Sequence, residues 1–163
     1  MSREAGAMKD SFRGQSNLHI YFAEQYLSQL NAETFDEWGG HFHRATTESL
    51  IWQLLLAYQC HLADILKQQP KFGLSIPGGF FTARSIVSDD LPPEIIELAD
   101  REVYSGWLKS LVEYPFLQSG RAPAGGVIAS DAAAQGHIEL DLQESLEELK
   151  SLIARHRATL MEY

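Results

Sequence analysis

Apolar positions recur at helical spacing in several separate stretches of the chain. Ile20, Ala23, Leu27 and Leu30 are three or four residues apart, the interval that keeps side chains on one face of a helix. Tyr21, Phe22 and Tyr26 widen that stripe, and Ser16 or Asn17 is placed to cap the helix start. A second helix is expected from about His43 to Gln68. Ile51, Leu54, Leu55, Tyr58, Leu62 and Ile65 mark one face of it, while Leu50, Leu56, Ala57, Cys60 and Leu66 make much of the remaining circumference apolar. Such a helix is central to its own fold or lies against a second subunit. Pro70 and Gly73 end it.

Pro92–Pro93 can open a third helix, because proline lacks only an N–H that would be unpaired there anyway. Ile95, Ile96, Leu98 and Ala99 continue it, Ser105 or Gly106 divides it, and Trp107, Leu108, Leu111 and Val112 resume the period up to Pro115. The last helix is expected near Asp141, which forms a loose capping box with Glu144. Leu142, Leu146, Leu149, Ile153 and Leu160 form its stripe, and His156 reads as a residue at the stripe's boundary. Its acidic start and basic later turns suit the helix dipole.

The predicted fold is all-α: an antiparallel four-helix bundle with a divided third helix and two long loops, over 69–91 and 115–140. Residues 1–15 read as a flexible N-terminal lead-in and 16–163 as a single helical bundle domain. The linker holding Phe35, Trp38, Gly39 and Gly40 joins the first two helices. Phe80 and Phe81 follow Pro77–Gly79 in a loop that can cross the bundle end, with strand over Phe80–Val87 the lesser alternative.

Composition sharpens this picture. With 163 residues, 45% of them hydrophobic, the chain is long enough to bury a core without metals or disulfides. Its formal net charge of −9 favours solubility and disfavours nucleic acid, since phosphate binding calls for a basic stripe. The longest apolar run, Leu54–Tyr58, is far short of a membrane span, and residues 1–15 carry no apolar signal segment. A lone cysteine, Cys60, precludes an intrachain disulfide. These features lead to the expectation of a cytoplasmic protein with no membrane or nucleic-acid partner.

Candidate chemistry is sparse. No Glu-x-x-His pair of the di-iron bundle type occurs. His41-x-His43, near Glu37 and Glu48, has chelating spacing only in an extended segment and lacks a third-ligand pattern, so no metal or cofactor is expected. The Arg13-to-His19 spacing is too common to support a nuclease. Glu48, Tyr58, His61 and Asp64 are the polar exceptions on the second helix. They read either as a buried network that fixes helix register or as the lining of a small ligand-binding cleft. No catalytic residue is assigned. Cys60 points about 100° away from its neighbour His61 on a helix and reads as an inert thiol.

The chain resembles a small family of uncharacterised gammaproteobacterial proteins, a domain of unknown function. The likeness begins at Ser16–Asn17 and Tyr21–Phe22–Ala23 and is clearest at Glu48–Ser49–Leu50, Leu54–Ala57, Cys60–His61 and Ala63. It returns around Trp107–Leu108, Leu146 and Leu149. The resemblance implies a bacterial, cytosolic, helical protein, and transfers no activity. The expected function is a non-enzymatic helical interaction or structural protein that self-associates, as a homodimer or with an unidentified protein partner. The alternative is a small-ligand-binding protein or enzyme using a cleft near Glu48 and His61.

Overall fold

The computed structural model describes residues 11–32, 41–104, 106–116 and 140–161. Among these residues the protein forms five α-helices and no strand: α1 (Phe12–Asn31), α2 (His41–Gln68), α3 (Pro93–Tyr104), α4 (Gly106–Val112) and α5 (Leu142–Leu160). The expected lead-in before Ser11, the linker at 33–40 and the loop segment 117–139 lie outside the described residues.

Helix α1 begins a turn earlier than Ser16, because the Ser11 side chain already caps it by accepting from Gly14 N–H at 2.9 Å. Ser16 is instead fully buried, and its hydroxyl donates to the Ala57 carbonyl of α2 at 3.1 Å. Asp141 caps α5 as expected, accepting from Glu144 N–H at 3.0 Å. Asp141→Ala is therefore expected to cost about 1 kcal/mol, read as a lower urea midpoint with unchanged slope. An unchanged midpoint would show that the cap contributes nothing.

Helix α2 runs through the middle and touches each of the other four helices. Leu50, Leu54, Leu62 and Ile65 are completely buried, which explains its apolar girth. Each such side chain stabilises the fold by about 1.5–3 kcal/mol. The chain's own helices thus cover the surface that, in the sequence, suggested a second subunit. Trp52 is the large exception on α2, 44% exposed.

Direction follows from the contacts. Arg13 meets Asp64, Ser16 meets Ala57 and His19 meets Gln53, so α1 and α2 are antiparallel. Arg157 meets Asn17 and Lys150 meets Glu24, so α5 also runs antiparallel to α1. Tyr21 and Phe22 do not widen α1's buried stripe. They sit on its outer face together with Leu18.

After α2, a 3₁₀ turn over Pro70–Phe72 ends on Gly73, whose φ of 63° is a left-handed conformation suited to glycine. A second 3₁₀ turn at Ala83–Ser85 occupies the stretch weighed as strand. Phe81 and Ala83 enter the core there, while Phe80 remains half exposed. No described helix is long and apolar enough to cross a membrane.

Candidate functional site

Two buried polar networks and one open groove hold the residues singled out in the sequence. The first starts at His61, on the apolar side of α2 and completely buried. His61 Nε2 and His156 Nδ1 are 2.9 Å apart, with the rings stacked at 5.2 Å. The other nitrogen of His156, Nε2, lies 2.9 Å from Glu97 Oε1 on α3. An ionised carboxylate only accepts, so His156 Nε2 donates to it, leaving Nδ1 to accept from His61 Nε2–H. Each imidazole then carries one proton. His61 Nδ1 is a buried lone pair with no hydrogen-bond partner, which costs less than an orphaned N–H.

Glu97 gathers the cationic end of this chain. Arg155 binds both of its carboxylate oxygens and Arg101 donates to Oε2 at 2.8 Å. The Arg155 contact, helped by His156 and Arg101 and opposed by burial, lowers the Glu97 pKa to about 2. Burial above all, then repulsion between protons on the paired His61 and His156 rings and the charges of Arg157 and Arg13, holds His61 well below its ordinary value.

Asp64 lies one turn beyond His61, also buried, and pairs with Arg13 of α1 at 3.3 Å. Arg13's backbone carbonyl in turn accepts from Arg157, which also donates to Asn17. The second arrangement is at Tyr58. Its hydroxyl donates to Glu102 of α3 at 2.6 Å, and Glu102 accepts further from Ala83 N–H at 2.7 Å and Arg84 N–H at 3.1 Å. Burial, then the Glu102 charge and bond, pushes the Tyr58 pKa up.

The third arrangement is open. Glu48 lies at the surface of α2, 34% exposed and paired with Arg44 at 3.1 Å. With Tyr26, Ser49, Trp52 and Phe116 it borders a groove of about 550 Å³.

The four residues singled out in the sequence therefore go to separate partners. Tyr58, His61 and Asp64 are all at most 2% exposed and contribute nothing to the groove's lining. Glu48 and His61 are thirteen residues apart on α2, about 20 Å along its axis. One small ligand cannot touch both. His41 and His43 are exposed in the first turn of α2, where a spacing of two points them to different faces. No group of three His, Cys, Asp or Glu side chains among the described residues is placed to hold a metal ion. Cys60 is partly buried, and burial raises its thiol pKa away from reactivity.

Two of the missed partners had a signal in the sequence. His156 falls on the stripe of α5 itself, three residues after Ile153 and four before Leu160. It is only 1% exposed, not a boundary residue. Glu102 likewise continues the Ile95–Leu98 stripe of α3. Comparison of the chain with family models, curated proteins and solved structures finds no match.

Proposed function

We propose that the protein is a non-enzymatic helical interaction protein that self-associates as a homodimer through the outer face of α1. The observation that carries this reading is the exposure of three large side chains on that face: Leu18 at 47%, Tyr21 at 56% and Phe22 at 37%. Continuing the same face by whole turns reaches Gln25 and Gln29, so the strip carries no charge. Contiguous exposed apolar surface marks an interaction site, and aromatic side chains are enriched in interface cores. The net charge of −9 would oppose self-association through a charged surface. An uncharged strip lets two copies meet without apposing carboxylates, and packing α1 on its symmetry mate makes a self-complementary interface.

Within each subunit the reading treats α3 and α4 together as one position of an antiparallel bundle. A reducing compartment such as the cytoplasm suits the lone thiol of Cys60.

Sedimentation of the full chain tests the proposal. A species of twice the chain mass is expected at micromolar concentration, and Leu18→Glu/Tyr21→Glu is expected to sediment as a monomer. Because both side chains are exposed, the thermal midpoint of the monomer is expected to change little once subunit dissociation is accounted for. A wild-type chain that remains monomeric at high micromolar concentration overturns the reading.

A further inference from the structure

The groove beside Glu48 has a chemistry distinct from the rest of the surface. Ala45, Glu48, Ser49 and Trp52 follow one another at spacings of three, one and three on α2, which places them on one face. Ala45 and Ser49 are small and leave room between the larger walls. Trp52 forms one wall, and the ring of Phe116 stands almost perpendicular to it, at 85° with centroids 5.8 Å apart. Phe80 stacks on Trp52 at 6.2 Å and 17°, bracing the indole. Tyr26 of α1 contributes a third aromatic side chain. Glu48 supplies a carboxylate beside these rings.

Aromatic faces carry negative quadrupolar potential; Trp52 and Phe116 meet edge to face, which uses one ring's face for that contact, while the 44% exposure of Trp52 leaves the rest of its surface open. The carboxylate and the chain's net charge of −9 add to that potential. Arg44 is the cation paired with Glu48, but its side chain is 64% exposed and the pair is four residues apart on one helix. Such pairs are weak and readily exchanged for another cation. The polar lining is thin, and the Gln53 carbonyl oxygen is already engaged by His19 at 2.7 Å. A bare ammonium would recover only part of its hydrogen bonds here, from acceptors such as Glu48 and Ser49, whereas an alkylated one has few or none to lose.

We propose that the groove formed by Tyr26, Trp52, Phe116 and Glu48 binds a small quaternary or alkylated ammonium ion. Three aromatic walls hold its alkyl groups, and Glu48 balances its charge. This site adjoins the self-association face centred on Leu18, Tyr21 and Phe22, since Tyr26 lies one turn beyond Phe22 on α1.

The test is a titration of the ¹⁵N-labelled full chain with tetramethylammonium chloride, following the indole N–H signals of its three tryptophans. Sodium chloride at equal ionic strength and tert-butanol, an uncharged near-isostere, are run in parallel. A saturable shift confined to the Trp52 indole is expected with tetramethylammonium alone. Glu48→Gln is expected to weaken binding about tenfold, the scale of one favourable charge contact. Trp52→Leu is expected to abolish binding, followed by dye displacement or calorimetry since its reporter is gone. Running the titration on Leu18→Glu/Tyr21→Glu as well separates loss of this site from loss of self-association. The proposal is overturned by an absence of saturable shift, by an equal response to tert-butanol, or by Glu48→Gln binding as tightly as the native chain.

Discussion

Replacing Glu102 by alanine is expected to remove on the order of 4 kcal/mol of stability, a large part of what a domain of this size possesses. The carboxylate is 1% exposed and accepts from three donors: the Tyr58 hydroxyl and the Ala83 and Arg84 amides. It ties α3 to the middle of α2 and pins the 3₁₀ turn at Ala83–Ser85 onto both. Truncation leaves the donors unsatisfied, at about 1–3 kcal/mol for each that stays buried. The full sum is not reached, because the turn can open and hydrate its amides, while the Tyr58 hydroxyl has no such exit. Tyr58→Phe removes a single donor and leaves the carboxylate with two, so a loss of about 2 kcal/mol is expected. The two side chains share one hydrogen bond, so the double variant should lose less than the sum of the single losses. Urea denaturation of the four chains measures the cycle. A Glu102→Ala variant within about 1 kcal/mol of the native chain would show that the three bonds contribute little.

What was readable from the sequence was what depends on near neighbours. The apolar period of α2, the Asp141 cap of α5 and the Pro92–Pro93 opening of α3 are local features, and all appear in the fold. Helix α1 was misplaced at its start because a serine suits two roles. Ser11 caps the helix and Ser16 bonds across to Ala57, and short-range pattern does not say which serine does which. The polar partners were harder for a different reason. His61 and His156 are separated by 95 positions, and Tyr58 and Glu102 by 44. Each residue lies on its own helix's apolar stripe, but that places a polar group indoors without naming the group it will meet.

The same limit applies to self-association. A helix that is apolar around most of its circumference must be covered, and its sequence does not say by which chain. Here α1, α3, α4 and α5 do the covering. The exposed strip instead belongs to α1, where the sequence pattern adds Tyr21 and Phe22 to the apolar stripe and the structure turns both outward. Each residue of a helix turns the chain by about 100°, so Tyr21 and Phe22, one and two positions after Ile20, already reach the opposite side. Two of the polar networks then acquire a common role. Glu102 locks α3 to one part of α2, and Glu97 with His156 locks α3 and α5 to another. Both fix how helices meet along α2 where leucines alone would tolerate sliding.

The second of these locks should open in acid. His61 is held below its ordinary pKa by burial first, then by the stacked His156, with which it would have to share positive charge, and by the Arg157 and Arg13 charges, with Asp64 as the nearby counter-charge. The unfolded chain takes up a proton at this residue near pH 6.5, while the folded chain refuses it. The folded state is consequently favoured in full above about pH 6.5 and loses stability as the pH falls below it, by up to about 1.4 kcal/mol per pH unit. Glu97 adds a separate loss at lower pH. Its pKa is lowered from 4.5 to about 2, chiefly by Arg155, so its contribution is complete above 4.5 and disappears as the pH falls toward 2. His61→Gln separates the two windows, since its amide can still donate to His156 Nδ1 but does not titrate. Urea midpoints from pH 8 to 5 are expected to fall more steeply for the native chain than for this variant, with the curves diverging below about pH 6.5. Ring ¹⁵N shifts of His61 in the native chain should meanwhile keep their neutral values at pH 6.5, where a free imidazole is half protonated. Parallel curves, or a His61 ring that protonates near pH 6.5 in the folded protein, would mean that the buried imidazole pair does not couple stability to acid.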